Sequence, residues 1–350
     1  MEEKIWEQLN LTDVNRLIEK MMPEYNVSFS DVAMALTAGH FSKAAGMLRD
    51  AFLQVVFPGM LECRSLFLSI FALGILSMFL SYSAGLVKSR QVADLAHYFI
   101  YLFAMLILLN GFEGLMATGT EAIETCRQFV GALIPAYCLS VSFSSGSVSA
   151  AVNYEFMLLL MNGTEYILAG LLLPLTSSYV FLAMLDGLDE RHRMKEFMKL
   201  ADRIISWGIK ICLSVTLVLS GVQNLVAVQV DSVQKTVVQK TIAAIPGIGD
   251  MADSVTQVIL GSAGLIKNSI GATALFFLFL LLIRPLVHLL SVSFAIKLAG
   301  ACVRVMGQNL LSETISKVGN AGFLVLRITM CAVLIFYISI AMTMLVMKGG

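Results

Sequence analysis

The sequence predicts an all-α, polytopic integral membrane protein, and three observations carry that reading. Of its 350 residues, 58% are hydrophobic and 14% are charged, against about 45–50% and about 25% in soluble domains. Six apolar runs reach the length of a bilayer span, about 20 residues. The basic residues between those runs gather on one side. A core of this size in water would lack the polar surface to cover it, so lipid must solvate much of the chain. The expected architecture has about six transmembrane helices, two Pro-broken re-entrant or surface hairpins and a candidate two-fold parallel internal repeat. Formal net charge is zero, which gives no long-range attraction for nucleic acid.

Residues 1–60 read as amphipathic extracytoplasmic helices on the membrane surface, preceding a transmembrane domain over 61–350. Leu11, Val14, Leu17, Ile18 and Met21 recur at helical spacing and stop at Pro23. Ser30 is the expected N-cap of a second helix over 31–38, with Gly39 its stop. A third helix, about 42–57, runs into Pro58-Gly59. No run in this region is long enough for a signal peptide, so export of the N-terminus would need a leader upstream of Met1.

The six expected spans are roughly 65–87, 92–113, 156–184, 205–227, 271–296 and 322–346. Two basic amphipathic connections, 186–204 and 297–320, lie between them and read as solvated faces at the membrane surface. With the N-terminus outside, the inner side carries Lys88, Arg90, Arg191, Arg193, Lys195, Lys199, Arg203, Lys210, Lys297, Arg304, Lys317 and Arg327. The outer side carries Arg127, Lys235, Lys240 and Lys267. Twelve against four satisfies the positive-inside rule with both termini outside. This count requires 121–150 not to cross. Its apolar part is interrupted by Pro135 and followed by a Ser/Gly-rich stretch, so it reads as a re-entrant or surface hairpin covered by protein or water.

Proline spacing suggests the repeat. Pro135 and Pro174 are 39 residues apart (174 − 135), as are Pro246 and Pro285 (285 − 246), and the pairs are offset by 111. At that offset Ala132-Leu133-Ile134-Pro135 overlays Ala243-Ala244-Ile245-Pro246. The units are about 92–202 and 203–313, related by an axis along the membrane normal.

Pore or hairpin candidates are Pro135, Pro174, Pro246, Gly247, Gly249, Asp250, Arg284 and Pro285. Proline breaks a helix, glycine lets the backbone turn, and both free carbonyls that could line a cavity. Equally, these residues could form a packing hairpin. Arg284 stands in mid-span beside Pro285, where a charge costs about 2.5–3.5 kcal/mol unless it meets a partner or water; Glu155 and Glu165 are the candidate partners. Cys63, Cys126, Cys138, Cys212, Cys302 and Cys331 read as buried or lipid-facing, a Cys126–Cys138 disulfide being the alternative. No catalytic, cofactor or metal constellation stands out, so an enzyme is not expected.

An ordered series of stretches is similar to the stage III sporulation protein AE family. It comprises Phe29-Ser30-Asp31-Val32 through Gly39, Ala93-Asp94-Leu95-Ala96-His97-Tyr98-Phe99, Leu173-Pro174-Leu175, Lys199-Leu200 through Ile205-Ser206-Trp207, Gly221-Val222-Gln223, Ile245-Pro246-Gly247-Ile248-Gly249, Ile266-Lys267-Asn268-Ser269-Ile270-Gly271 and Arg284-Pro285-Leu286. Arg284 departs from the pattern, which has an apolar residue before the proline. The resemblance implies a membrane component, permease-like or a channel core, of the sporulation channel apparatus linking mother cell and forespore. It would sit in the mother-cell membrane around the forespore. The implied partners are other stage III sporulation operon membrane proteins, ring-forming intermembrane-space proteins and a secretion-type ATPase. A non-transporting scaffold in that apparatus and a secondary transporter are the competing readings. Intramembrane charge is sparse, which disfavours a proton-coupled transporter.

Overall fold

The computed structural model describes residues 11–21, 28–40, 46, 64–86, 90–144, 147–188, 193–243 and 249–345. Among these, every regular element is helical. In order they are α1 Thr12–Met21, α2 Phe29–Thr37, α3 Arg64–Leu86, α4 Arg90–Ser144 and α5 Ser147–Thr164. A π-helical stretch Glu165–Leu172 leads into α6 Leu173–Asp186, followed by α7 Lys195–Ala243, α8 Gly249–Val305 and α9 Asn309–Leu345. Tyr98–Ser144, Ala150–Asp186, Lys195–Gln223, Gly261–Val305 and Asn309–Met342 are each long and apolar enough to cross a membrane. The sixth expected span, 65–87, coincides with the 23-residue α3.

Side-chain meetings fix the helix directions. Arg127 on α4 lies 3.8 Å from Glu165, 38 residues later, so the chain reverses between them. A Cβ on Gly131 would sit 3.2 Å from Met161, the same antiparallel register. Gln223 on α7 donates to Asn153 on α5 at 2.8 Å, and Ser312 on α9 to the Gly300 carbonyl on α8 at 2.8 Å. Leu66 packs on Gly111, and His288 meets Thr118 at 3.5 Å. From α3 to α9 the bundle therefore alternates in direction. The reversals around 187–194 and 306–308 share one end, which we call the basic end. The α4–α5 reversal lies at the opposite end. Helices α4 and α8 have 55 and 57 residues, about 82 and 86 Å at 1.5 Å per residue. About 30 Å of hydrocarbon covers only part of either.

Pro135 does not break the chain as the sequence predicts. Helix α4 passes through Pro135 without interruption, so 121–144 continues the second helix and is not an arm of a separate hairpin. The helix runs on to Ser144, and α5, antiparallel to it, starts at Ser147. Pro285 lies inside α8, within the expected span 271–296. Loss of one backbone bond bends a helix embedded among packed neighbours without ending it. Pro174 is accommodated differently: it sits at the first turn of α6, directly after the π-helical stretch. There the Leu173 N–H donates five residues back, to Leu168. The wider π register absorbs the bond that Pro174 cannot make. Pro246 and Gly247 lie outside the described residues; Gly249 and Asp250 open α8.

The α8–α9 reversal has a local cause. Gly307 takes φ +84°, a left-handed conformation that costs a Cβ-bearing residue strain. Its N–H donates to Arg304 O at 3.0 Å and the Gln308 N–H to Val303 O at 3.4 Å, a Schellman turn. Gly39 ends α2 in the same way at φ +75°, as its sequence position predicts. Helix α2 begins earlier than expected, with Ser28 at the N-cap and not Ser30. Asn15 of α1 holds that start, donating to Ser30 Oγ at 2.7 Å and accepting from Ser28 Oγ at 3.2 Å. Phe29 is buried between Phe129 of α4 and Phe277 of α8, at centroid distances of 6.5 and 5.6 Å. The second amphipathic helix is thereby inserted into the bundle.

The core runs between α4, α8 and α9. Leu278, Leu282, Leu289, Ile296 and Val303 of α8 are fully buried against Val318, Val325, Ile328, Ala332 and Phe336 of α9. Glycines bring the backbones close: a Cβ on Gly119 would come within 2.7 Å of Val325, and one on Gly322 would strike Ser293. Small residues at such crossings give van der Waals contact that lipid cannot match. Buried hydroxyls close onto their own helices, Ser293 to Leu289 O at 2.6 Å, Thr329 to Val325 O at 3.0 Å and Thr273 to Ser269 O at 2.7 Å.

Candidate functional site

The polar machinery gathers at the basic end. Asp186, the last residue of α6, is fully buried (0% exposed) and meets Lys317 of α9 at 2.7 Å; the Lys317 side chain is 12% exposed. Lys317 also reaches Glu313 at 2.9 Å, one turn away on its own helix. The second Asp186 oxygen accepts the Met194 N–H at 3.2 Å, so one carboxylate ties the end of α6 to the turn before α7 and to α9. Tyr101 of α4 completes the cluster. Its hydroxyl donates to the Met184 carbonyl at 2.8 Å and lies 3.2 Å from Thr314 Oγ1. Gly187 is needed there for space: its φ of −73° suits any residue, but a Cβ would overlap the Tyr101 and Thr314 hydroxyls.

Beside this lock lies a cavity of about 620 Å³, walled by α6, α7, α8 and α9. Lys195, Lys199, Lys297, Lys317 and Arg327 line it, with Asp202 the one carboxylate among its lining residues. The Lys297 ammonium stands 5.3 Å above the Phe323 ring, a cation–π contact that holds it in place.

A second charge cluster forms a collar partway along the bundle. Arg127 grips Glu124 through two bonds, 2.6 and 2.7 Å, and Gln128 donates to the same carboxylate at 2.8 Å. Glu165 therefore faces Arg127, not Arg284. Arg284 is exposed, one turn from the His288 that meets Thr118.

Among the described hairpin candidates, Pro135 and Pro174 are not brought together. By the Gly131–Met161 register, Pro135 stands opposite residue 157, and Pro174 lies 17 residues further along, about 25 Å away. Lys267, counted among the solvated outer residues, is 1% exposed within α8. Cys126 and Cys138 are free and lie twelve residues apart on the unbroken α4, about 18 Å by helical rise, which excludes a disulfide between them. Sequence reasoning missed Asp186 and Tyr101. They meet partners 131 and 213 residues away, and no local spacing records such a meeting.

Fold and charge distribution together define an all-helical, multi-pass membrane protein whose polar contacts secure helix reversals. The chain belongs to the stage III sporulation protein AE family, whose model matches residues 27–347. It is 24% identical over 264 residues to "Stage III sporulation protein AE" of Bacillus subtilis (strain 168). That match covers 75% of this chain and 66% of the relative, just under two thirds of the relative's length. No solved structure matches. Family membership implies a role in sporulation.

Proposed function

We propose that this chain is a membrane component of the sporulation channel apparatus joining mother cell and forespore, and that it serves there as a non-conducting scaffold. The observation that carries this reading is the apolar seam of α8 and α9, buried from Leu278 to Val303 and from Val318 to Phe336. A path for ions or polar solutes needs polar groups facing a wet midplane. Here the buried hydroxyls of Ser293 and Thr329 bond their own helix carbonyls. In this reading the bundle holds other stage III operon membrane proteins, intermembrane ring-forming proteins and a secretion-type ATPase in register. Any conduit would run between chains. The mother-cell membrane around the forespore is its proposed location.

One observation favours the permease-like reading, the cavity at the basic end, where a water-filled vestibule could begin. Imaging the assembly purified with its operon partners separates the two. The scaffold reading expects each bundle to be solid, with any pore between chains. A pore along the axis of a single bundle would establish the permease.

A further inference from the structure

We propose that the cavity at the basic end binds a phosphate-bearing anion, and that its natural occupant is the headgroup of an anionic phospholipid. Its lining places five cationic side chains against the single carboxylate Asp202. Ion pairs already engage two of them: Lys199 with Glu196 at 2.6 Å, and Lys317 with Asp186 and Glu313. Among the described residues, Lys195, Lys297 and Arg327 form no such pair. With Asp202 as the only carboxylate against these three, the space keeps a net positive charge, and its cations, the exposed Lys195 and Arg327 and the half-buried Lys297, repel one another. A bound polyanion removes that repulsion.

The cavity has the build of an amphiphile site. Lys297 is half-buried and fixed over Phe323, while Phe323, Leu324 and Met198 supply apolar wall. Lysine binds phosphate as a point charge and arginine as a fork, and both types are present. Volume fits as well: about 620 Å³ falls within the 300–1,000 Å³ typical of small-molecule pockets. Basic pockets between transmembrane helices recognise anionic headgroups by these means. Neighbouring exposed side chains on α7, among them Leu200, Ile204 and Trp207, give acyl chains an apolar surface to follow.

The test uses the full chain in detergent, stripped of lipid, with native mass spectrometry counting bound lipid. Phosphatidylglycerol, cardiolipin and phosphatidylcholine are titrated separately, and inorganic phosphate and pyrophosphate form a second arm. The proposal expects one anionic phospholipid to bind at least tenfold more tightly than phosphatidylcholine. In a Lys297→Gln, Arg327→Gln double variant a tenfold preference should be abolished, since each cation near an anionic surface contributes about a factor of five, about twenty-five-fold for the two. Neither substitution touches the Asp186–Lys317 lock, and an unchanged melting temperature confirms that the variant is folded. Pyrophosphate binding without lipid selectivity would keep the anion site and overturn the lipid assignment. Equal binding of anionic and zwitterionic lipids with no phosphate binding, or a preference unaltered in the variant, would overturn the proposal.

Discussion

Asp186 and Arg127 each meet an opposite charge, but the surroundings differ. At the basic end the Asp186 carboxylate is 0% exposed and Lys317 only 12%, 2.7 Å apart. At the collar the Arg127 and Glu165 side chains are 36% and 55% exposed and 3.8 Å apart. An exposed pair gains little, about 0–1 kcal/mol, because water screens it and two long side chains must be ordered. A buried pair is different in kind. Desolvation offsets most of its gain over apolar residues, but removing one partner strands a charge where nothing solvates it. The comparison teaches that bundle geometry is enforced at the basic end, where α6, α7 and α9 are tied through one carboxylate. The collar adds local order on α4 and the π-helical stretch.

The largest effect should come from cutting the lock. Lys317→Met leaves Asp186 buried opposite an apolar chain and should cost about 3–5 kcal/mol. Thermal unfolding of the detergent-solubilised protein would show it, and a loss under 1 kcal/mol would erase the contrast with the collar. Next comes Gly187→Ala, whose methyl must displace Tyr101 and Thr314. Overpacking of this kind costs about 1–3 kcal/mol. The same substitution in a Tyr101→Leu background should cost less, and equal costs in both backgrounds would mean that Tyr101 is not the obstacle.

A polar contact away from either cluster sharpens the scale. Gln223→Leu removes the 2.8 Å bond to buried Asn153. Interhelical side-chain bonds in membrane proteins average about 0.6 kcal/mol and reach about 1.7, so the loss should lie between those of Gly187→Ala and the collar. The smallest change is expected from Arg127→Ala, under about 1 kcal/mol and diminishing as salt is added. A salt-independent loss of 2 kcal/mol there would show that the collar, too, is structural.

The general fold was legible because its causes are local or periodic. Apolar runs of span length and the bias of basic residues at 186–204 and 297–320 lead directly to helices reversing at a basic end. Gly39 could be read as a stop because a left-handed residue after a helix is a short-range signal. The hairpin at Pro135 differs from expectation for a physical reason. Proline in an apolar run predicts a break, whereas inside a packed bundle Pro135 only removes one hydrogen bond, as Pro285 does within its expected span. The π-helical stretch before Pro174 has no sequence signature of its own. The lock was invisible because Asp186 and Lys317 are joined by tertiary packing. Lys317 could be counted as an inner-side charge, but its burial could not be read. The cavity is a similar case: each of its cations was counted singly, and only folding places four helices around them.

The central claim is that the bundle is solid along its axis, and Ser293 tests it most directly. This residue is fully buried where α4, α8 and α9 meet, its hydroxyl bonded to Leu289 O. Ser293→Cys is nearly isosteric and can be placed in a chain whose native cysteines are replaced, within the assembled apparatus of sporulating cells. A small, water-soluble methanethiosulfonate reagent then reports whether water reaches the centre. Glu196→Cys, on the exposed surface of α7, calibrates the reagent in permeabilised cells. The scaffold account predicts that the Ser293→Cys variant stays unmodified while the Glu196→Cys variant reacts fully. Modification of both at comparable rates would place a wet path through the bundle and contradict the account.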